Sequence, residues 1–116
     1  MIQCKRVYDP ACAEDGYRVL VDRLWPRGVK KEALHNDEWC KTLSPSAALR
    51  KAFHSEAIDF STFCQQYREE LKQNREEGER LIQRAQQQPL TLLYAAKNTR
   101  QNHALVLAEW LRSLTA

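Results

Sequence analysis

The chain is poor in glycine, with three in 116 residues, at positions 16, 28 and 78. It contains no GxGxxG, P-loop, GxSxG or HExxH pattern, so nothing marks a dinucleotide fold, an NTPase, an α/β-hydrolase or a zincin. No apolar run approaches the roughly 18 residues of a membrane span, and the first 30 residues lack a basic-then-apolar leader. A cytoplasmic protein with no membrane partner is therefore expected. The four cysteines, Cys4, Cys12, Cys40 and Cys64, are spaced 8, 28 and 24 apart without a CxxC pair, and His35, His54 and His103 are scattered. That pattern argues against a metal site and for reduced, mostly buried thiols. Linkers, repeats and low-complexity segments are also missing, so residues 1–116 read as one domain.

What remains is ordinary soluble composition, 43% hydrophobic and 28% charged, in a chain long enough to fold without a staple. The net charge of +3 is unevenly spread. Residues 1–51 carry ten Lys/Arg against seven acids, residues 52–88 five against seven, and residues 89–116 three against one. Basic charge at both ends suits an anionic ligand, yet it is too weak to announce a nucleic-acid binder.

Ile2 to Val7 alternates loosely and reads as a strand. Tyr17 to Leu24 is a continuous β-rich run, apolar on both faces, and Leu90 to Ala96 reads as a second buried strand, as expected of central strands. About ten residues separate the first two strands, too few for a helical crossover, so they pair antiparallel or are not neighbours. Pro26 to Asn36 reads as basic and irregular, and Glu38 to Leu43 as a short strand. Ser44-Pro45-Ser46 opens a helix running to about Phe53. Phe60, Phe63, Cys64, Tyr67 and Leu71 then mark a strongly amphipathic helix, capped by Asp59 or Ser61 and broken or bent at Gly78. A last helix starts near Asn102 and turns Ala104, Leu107, Ala108, Leu111 and Leu114 inward. The order implies a single small α/β domain, a short, partly parallel sheet of 3–4 strands covered by about four helices.

In open α/β sheets ligands bind beyond the carboxyl ends of the strands. Two strong strands end here in polar clusters: Asp22, Arg23, Trp25 and Arg27 after the first, and Lys97, Asn102 and His103 after the second. With these strands side by side and parallel, both clusters share one rim, together with the amino terminus of the last helix. Arg23, Arg27 and Lys97 would hold an anion, Trp25 would stack on a ring, Asn102 would add a polar contact, and Asp22 or His103 would move a proton. Each has a plainer reading. Asp22 could pair with Arg6, Arg18 or Arg23; Trp25 could plug the core; Arg23 and Arg27 could be solvated; His103 could serve only as a hydrogen-bonding residue at a helix start. A cysteine nucleophile, Cys12 or Cys40 with His103 as base, has no local support.

The segments VLVDRLWPRGV, EWCKTLSPSAALRKAFH and TLLYAAKNTRQNHALVL together resemble the YeaO-like family, a bacterial group of unknown function, over essentially the whole chain. Its motif positions fall on Asp22, Arg23, Trp25, Pro26, Arg27, Gly28, Trp39, Lys41, Pro45, Ser46, Leu49, Arg50, Tyr94, Ala96, Lys97, Asn102 and His103. Cys40 departs from a bulkier apolar residue, which weakens it further as a nucleophile. The resemblance implies a small cytoplasmic α/β protein and brings no activity, cofactor or substrate. Two functions are consistent with these residues: an enzyme acting on a small phosphorylated compound such as a nucleotide, or a non-catalytic module binding nucleic acid or a protein through the same basic rim. Nothing in the pattern implies a cofactor or sets an oligomeric state.

Overall fold

The computed structural model describes residues 1–114. Strands β1 (Ile2–Arg6), β2 (Tyr17–Leu20), β3 (Glu38–Trp39) and β4 (Leu90–Tyr94) form one sheet in the order β1-β4-β2-β3. Every pairing is parallel, with Arg6 opposite Tyr94, Val19 opposite Leu92, and Leu20 opposite both Leu93 and Trp39. β1 and β2 are not neighbours, because β4 lies between them. β4 is the one strand buried at every residue, as a central parallel strand must be.

The two central strands are shorter than their apolar runs. The amide of Val21 still donates to the Leu93 carbonyl at 3.0 Å, but the next step of the ladder is made by a side chain. The carboxylate of Asp22 accepts from the amide of Ala95 at 3.0 Å, ending the pairing and releasing both chains into loops. Leu24, expected inside, is 65% exposed. β3 is likewise cut to two residues.

Alternation along the strands sorts the core into two faces. Val19, Val21, Leu90, Leu92 and Tyr94 point to the main core, covered by α2 (Ala47–His54), α3 (Phe60–Lys72), α4 (Arg75–Gln87) and α5 (His103–Ser113). Leu20 and Leu93 point the other way, to a smaller cluster closed by Val7, Trp25, Val29 and Trp39, and by Leu34 of α1 (Lys31–Leu34). This one-turn helix lies inside the stretch expected to be irregular. The helices α2, α3 and α5 start at Ser46, Asp59 and Asn102, whose side chains accept from Leu49, Thr62 and Leu105 amides respectively, satisfying donors that each first turn leaves open. No helix among the described residues is long and apolar enough to cross a membrane.

Gly78 does not break a helix. The break falls at Gln73–Asn74, and Gly78 lies inside α4, where the ring of Trp110 covers it. A Cβ there would sit 2.5 Å from Trp110 Cζ3, too close for any real contact. Gly78→Ala is therefore expected to lower stability in urea unfolding by about 1–3 kcal/mol through overpacking. Helix propensity alone gives the opposite sign, a gain of about 1 kcal/mol, so a stabilised variant would contradict this packing.

Candidate functional site

The carboxyl ends of β2 and β4, the start of α5 and one face of α2 enclose a cleft of about 290 Å³. Asp22 comes from the end of β2; Ala95, Ala96 and Lys97 from the end of β4; Gln101, Asn102 and His103 from the entry to α5. Arg50, Phe53 and His54 project from α2, where spacings of three and four residues put them on one face. Pro45 and Phe63 complete the wall. The helix α2 is held in place by Phe53, whose ring stacks on Phe63 of α3 at 4.7 Å.

Asp22 and His103 face each other on this rim. His103 Nε2 lies 3.0 Å from Asp22 Oδ1 and 3.1 Å from the Val21 carbonyl. Only the second contact has hydrogen-bond geometry, so Asp22 Oδ1 has a close imidazole neighbour but no donor aligned on it. Both oxygens are acceptors, which places a proton on Nε2 and leaves Nδ1 as the ring nitrogen without a partner among the described residues. The other carboxylate oxygen is taken by the Ala95 amide. None of the arginines considered as partners reaches Asp22. Arg18 pairs with Asp15 and bonds the carbonyls of Leu34 and His35, and Arg6 bonds those of Ala95 and Ala96.

Asn102 is 2% exposed and already engaged: Oδ1 caps α5, and Nδ2 donates to the Asn98 carbonyl at 2.9 Å. It shapes the rim and has little left to offer a ligand. Lys97 is exposed at the cleft mouth, and Arg50 is half-buried in its wall. Neither side chain makes a hydrogen bond or ion pair with another described residue. The cleft thus has two unpaired cations against a single carboxylate that is already in contact with protein donors.

Arg23, Trp25 and Arg27 lie outside the lining of the cleft. Trp25 packs edge-on against Trp39 with centroids 5.4 Å apart and donates its indole N–H to the Val29 carbonyl at 2.6 Å. This folds the WPRG turn over the smaller core cluster, on the opposite face of the sheet from α2. Arg23 borders a separate depression with Ser46 and Glu70, and the backbone carbonyl of Arg27 accepts from the Tyr8 hydroxyl at 3.1 Å. Both guanidinium groups are exposed and unpaired among the described residues.

Among the described residues no cysteine, serine or threonine lines the cleft. Cys4 donates to the Ala104 carbonyl, and burial pushes its thiol up to about 11. Burial raises Cys40 as well. Of the four thiols only Cys40 is fully buried; Cys12 is exposed, and its hydrogen bond to Asp15 raises it too.

The architecture is that of a small, all-parallel α/β domain with a cationic cleft at the strand ends. The chain belongs to the DUF488-N3i family, described as the inactive DUF488-N3 subclade, whose family model matches residues 1–116. It is 67% identical over 113 residues to the uncharacterized protein YeaO of Escherichia coli K12, covering 97% of this chain and 98% of that one. It is 37% identical over 112 residues to the uncharacterized protein Rv3073c of Mycobacterium tuberculosis H37Rv, covering 95% and 92%. No solved structure matches significantly.

Proposed function

We propose that the cleft holds a small phosphorylated anion and that the chain is a binding module rather than a catalyst. The observation that carries this reading is the pairing of Arg50 with Lys97. Two cations from elements far apart in sequence converge on one cleft, and neither has a partner among the described residues. A half-buried guanidinium without a carboxylate is costly to keep unless something anionic meets it. Its planar fork suits two phosphate oxygens at once, while the Lys97 ammonium adds a point charge at the mouth. The amino terminus of α5 adds positive potential on the same side.

The case against turnover is chemical. Among the described residues the cleft presents no hydroxyl or thiol nucleophile, and the Nε2 proton of His103 faces Asp22 and Val21. The description of the family as an inactive subclade fits the same reading.

Calorimetric titration with inorganic phosphate and ribose 5-phosphate tests it. Arg50→Ala is expected to weaken binding by about 1.5–3 kcal/mol, the scale of a hydrogen bond to a charged group. Arg27→Ala, on the other side of the sheet, should change neither affinity nor stability by more than about 0.5 kcal/mol. If Arg27→Ala abolished binding while Arg50→Ala spared it, the site would have to move to the WPRG loop.

A further inference from the structure

An inorganic anion would use only half of this cleft. The other half is apolar, made of Pro45, Phe53, Phe63, Ala95 and Ala96. Phe53, Phe60 and Phe63 form a three-ring cluster with centroids 4.7–5.9 Å apart. Phe63 is 2% exposed, whereas Phe53 is half-buried and lines the cleft. Phe53 lies one helical turn beyond Arg50, which puts their Cβ atoms about 5–6 Å apart on one helix face. Gln101 also lines the cleft, and its side-chain amide has no partner among the described residues.

We propose that the ligand is a nucleotide, a phosphate monoester carrying a flat base, with its phosphate on Arg50 and Lys97 and its base against Phe53. The inference rests on the anion-binding reading above and deepens it. A base in this position adds a fourth ring to the aromatic cluster, and every base has a face to offer. The Gln101 amide, both donor and acceptor, lies at the cleft wall where a base edge or a sugar hydroxyl would find it. His103 Nδ1 can accept one further hydrogen bond from the sugar. The WPRG tryptophan takes no part, since its ring is committed to Trp39.

The test compares inorganic phosphate, ribose 5-phosphate, adenosine 5′-monophosphate and a short 5′-phosphorylated oligonucleotide on the whole chain, by calorimetry. Adenosine 5′-monophosphate should bind at least about 5-fold more tightly than ribose 5-phosphate, the low end of what stacking on an aromatic contributes. Phe53→Leu should erase that advantage, so that the nucleotide and ribose 5-phosphate bind the variant equally well; Phe53→Tyr should retain it, a control for folding. Arg50→Ala should weaken all ligands together. Tighter binding of the oligonucleotide with the same dependence on Phe53 supports the same chemistry, supplied by a strand end. Equal affinities for ribose 5-phosphate and the nucleotide would overturn the nucleotide assignment while leaving the anion site standing. No binding of any phosphate would overturn both.

Discussion

Asp15→Ala is expected to cost the fold about 3–5 kcal/mol, the penalty for removing one member of a buried ion pair. Against a typical total of about 5–15 kcal/mol, that loss leaves a large unfolded fraction in mild denaturant. Asp15 is 1% exposed and Arg18 5%. The carboxylate accepts from the Arg18 guanidinium, from Lys5 at 3.1 Å, and from the amide and thiol of Cys12, both at 3.1 Å. Its backbone carbonyl accepts from the Thr91 hydroxyl, tying the network to the central strand. Without Asp15, Arg18 keeps only neutral carbonyl partners, those of Leu34 and His35. Replacing both charges, as in Asp15→Ala with Arg18→Met, should recover part of the loss, because no charge is then left stranded.

The same network makes a statement about pH. Burial pushes the Asp15 carboxyl up, but its hydrogen bonds from Cys12, Lys5 and Arg18 outweigh that and hold it well below the usual carboxylate range. A depressed folded value means the stabilisation is fully present above the unfolded value, about 3.9. It is lost as pH falls below that value toward the folded one. Unfolding followed from pH 6 downward should therefore show an acid limb below about pH 4 that Asp15→Ala flattens.

Gly16→Ala is the second large effect. Gly16 has φ +63° and ψ −125°, a conformation closed to residues with a side chain. A Cβ would also sit 2.2 Å from the Pro89 carbonyl oxygen, the same oxygen that accepts from the Tyr17 amide at 2.8 Å to start the β2–β4 ladder. Backbone strain and overpacking together amount to about 2–6 kcal/mol. Gly28 is the useful contrast. It also has positive φ, +74°, but no atom lies within 4 Å of its Cβ position. Gly28→Ala should cost only the backbone term, about 1–2 kcal/mol. Equal losses at the two positions in urea unfolding would mean that the approach of Pro89 does not matter.

The two central strands were legible because Val19–Val21 and Leu90–Leu93 are unbroken runs of β-branched and leucine residues, which suit strands buried on both faces of a parallel sheet. Their neighbourhood followed from the same fact. The helix Phe60–Lys72 was legible from one face of aromatic residues, and the cap at Asn102 from its side chain. Gly78 misled because its requirement is tertiary: only the folded chain brings Trp110 over it. Strand ends misled too, since the Asp22 side chain replaces the backbone acceptor at Ala95.

Half of the candidate site could be read and half could not. Asp22, Lys97, Asn102 and His103 meet because they follow adjacent parallel strands, a local rule applied twice. Arg50, Phe53 and His54 reach the cleft only through the packing of Phe53 on Phe63. No local pattern announces that contact. The WPRG turn drew attention by its charge, yet its tryptophan found a partner in Trp39 and took the turn to the other side of the sheet.

The central claim is that a phosphate occupies the cleft between Arg50 and Lys97. Amide and arginine side-chain NMR shifts recorded during titration with inorganic phosphate test it most directly. The predicted result is a saturable set of changes confined to Ala95–His103 and the Arg50 Nε–H, with Arg23, Arg27 and the Trp25 indole unmoved. Changes centred on residues 23–28, or none at any phosphate concentration, would contradict it.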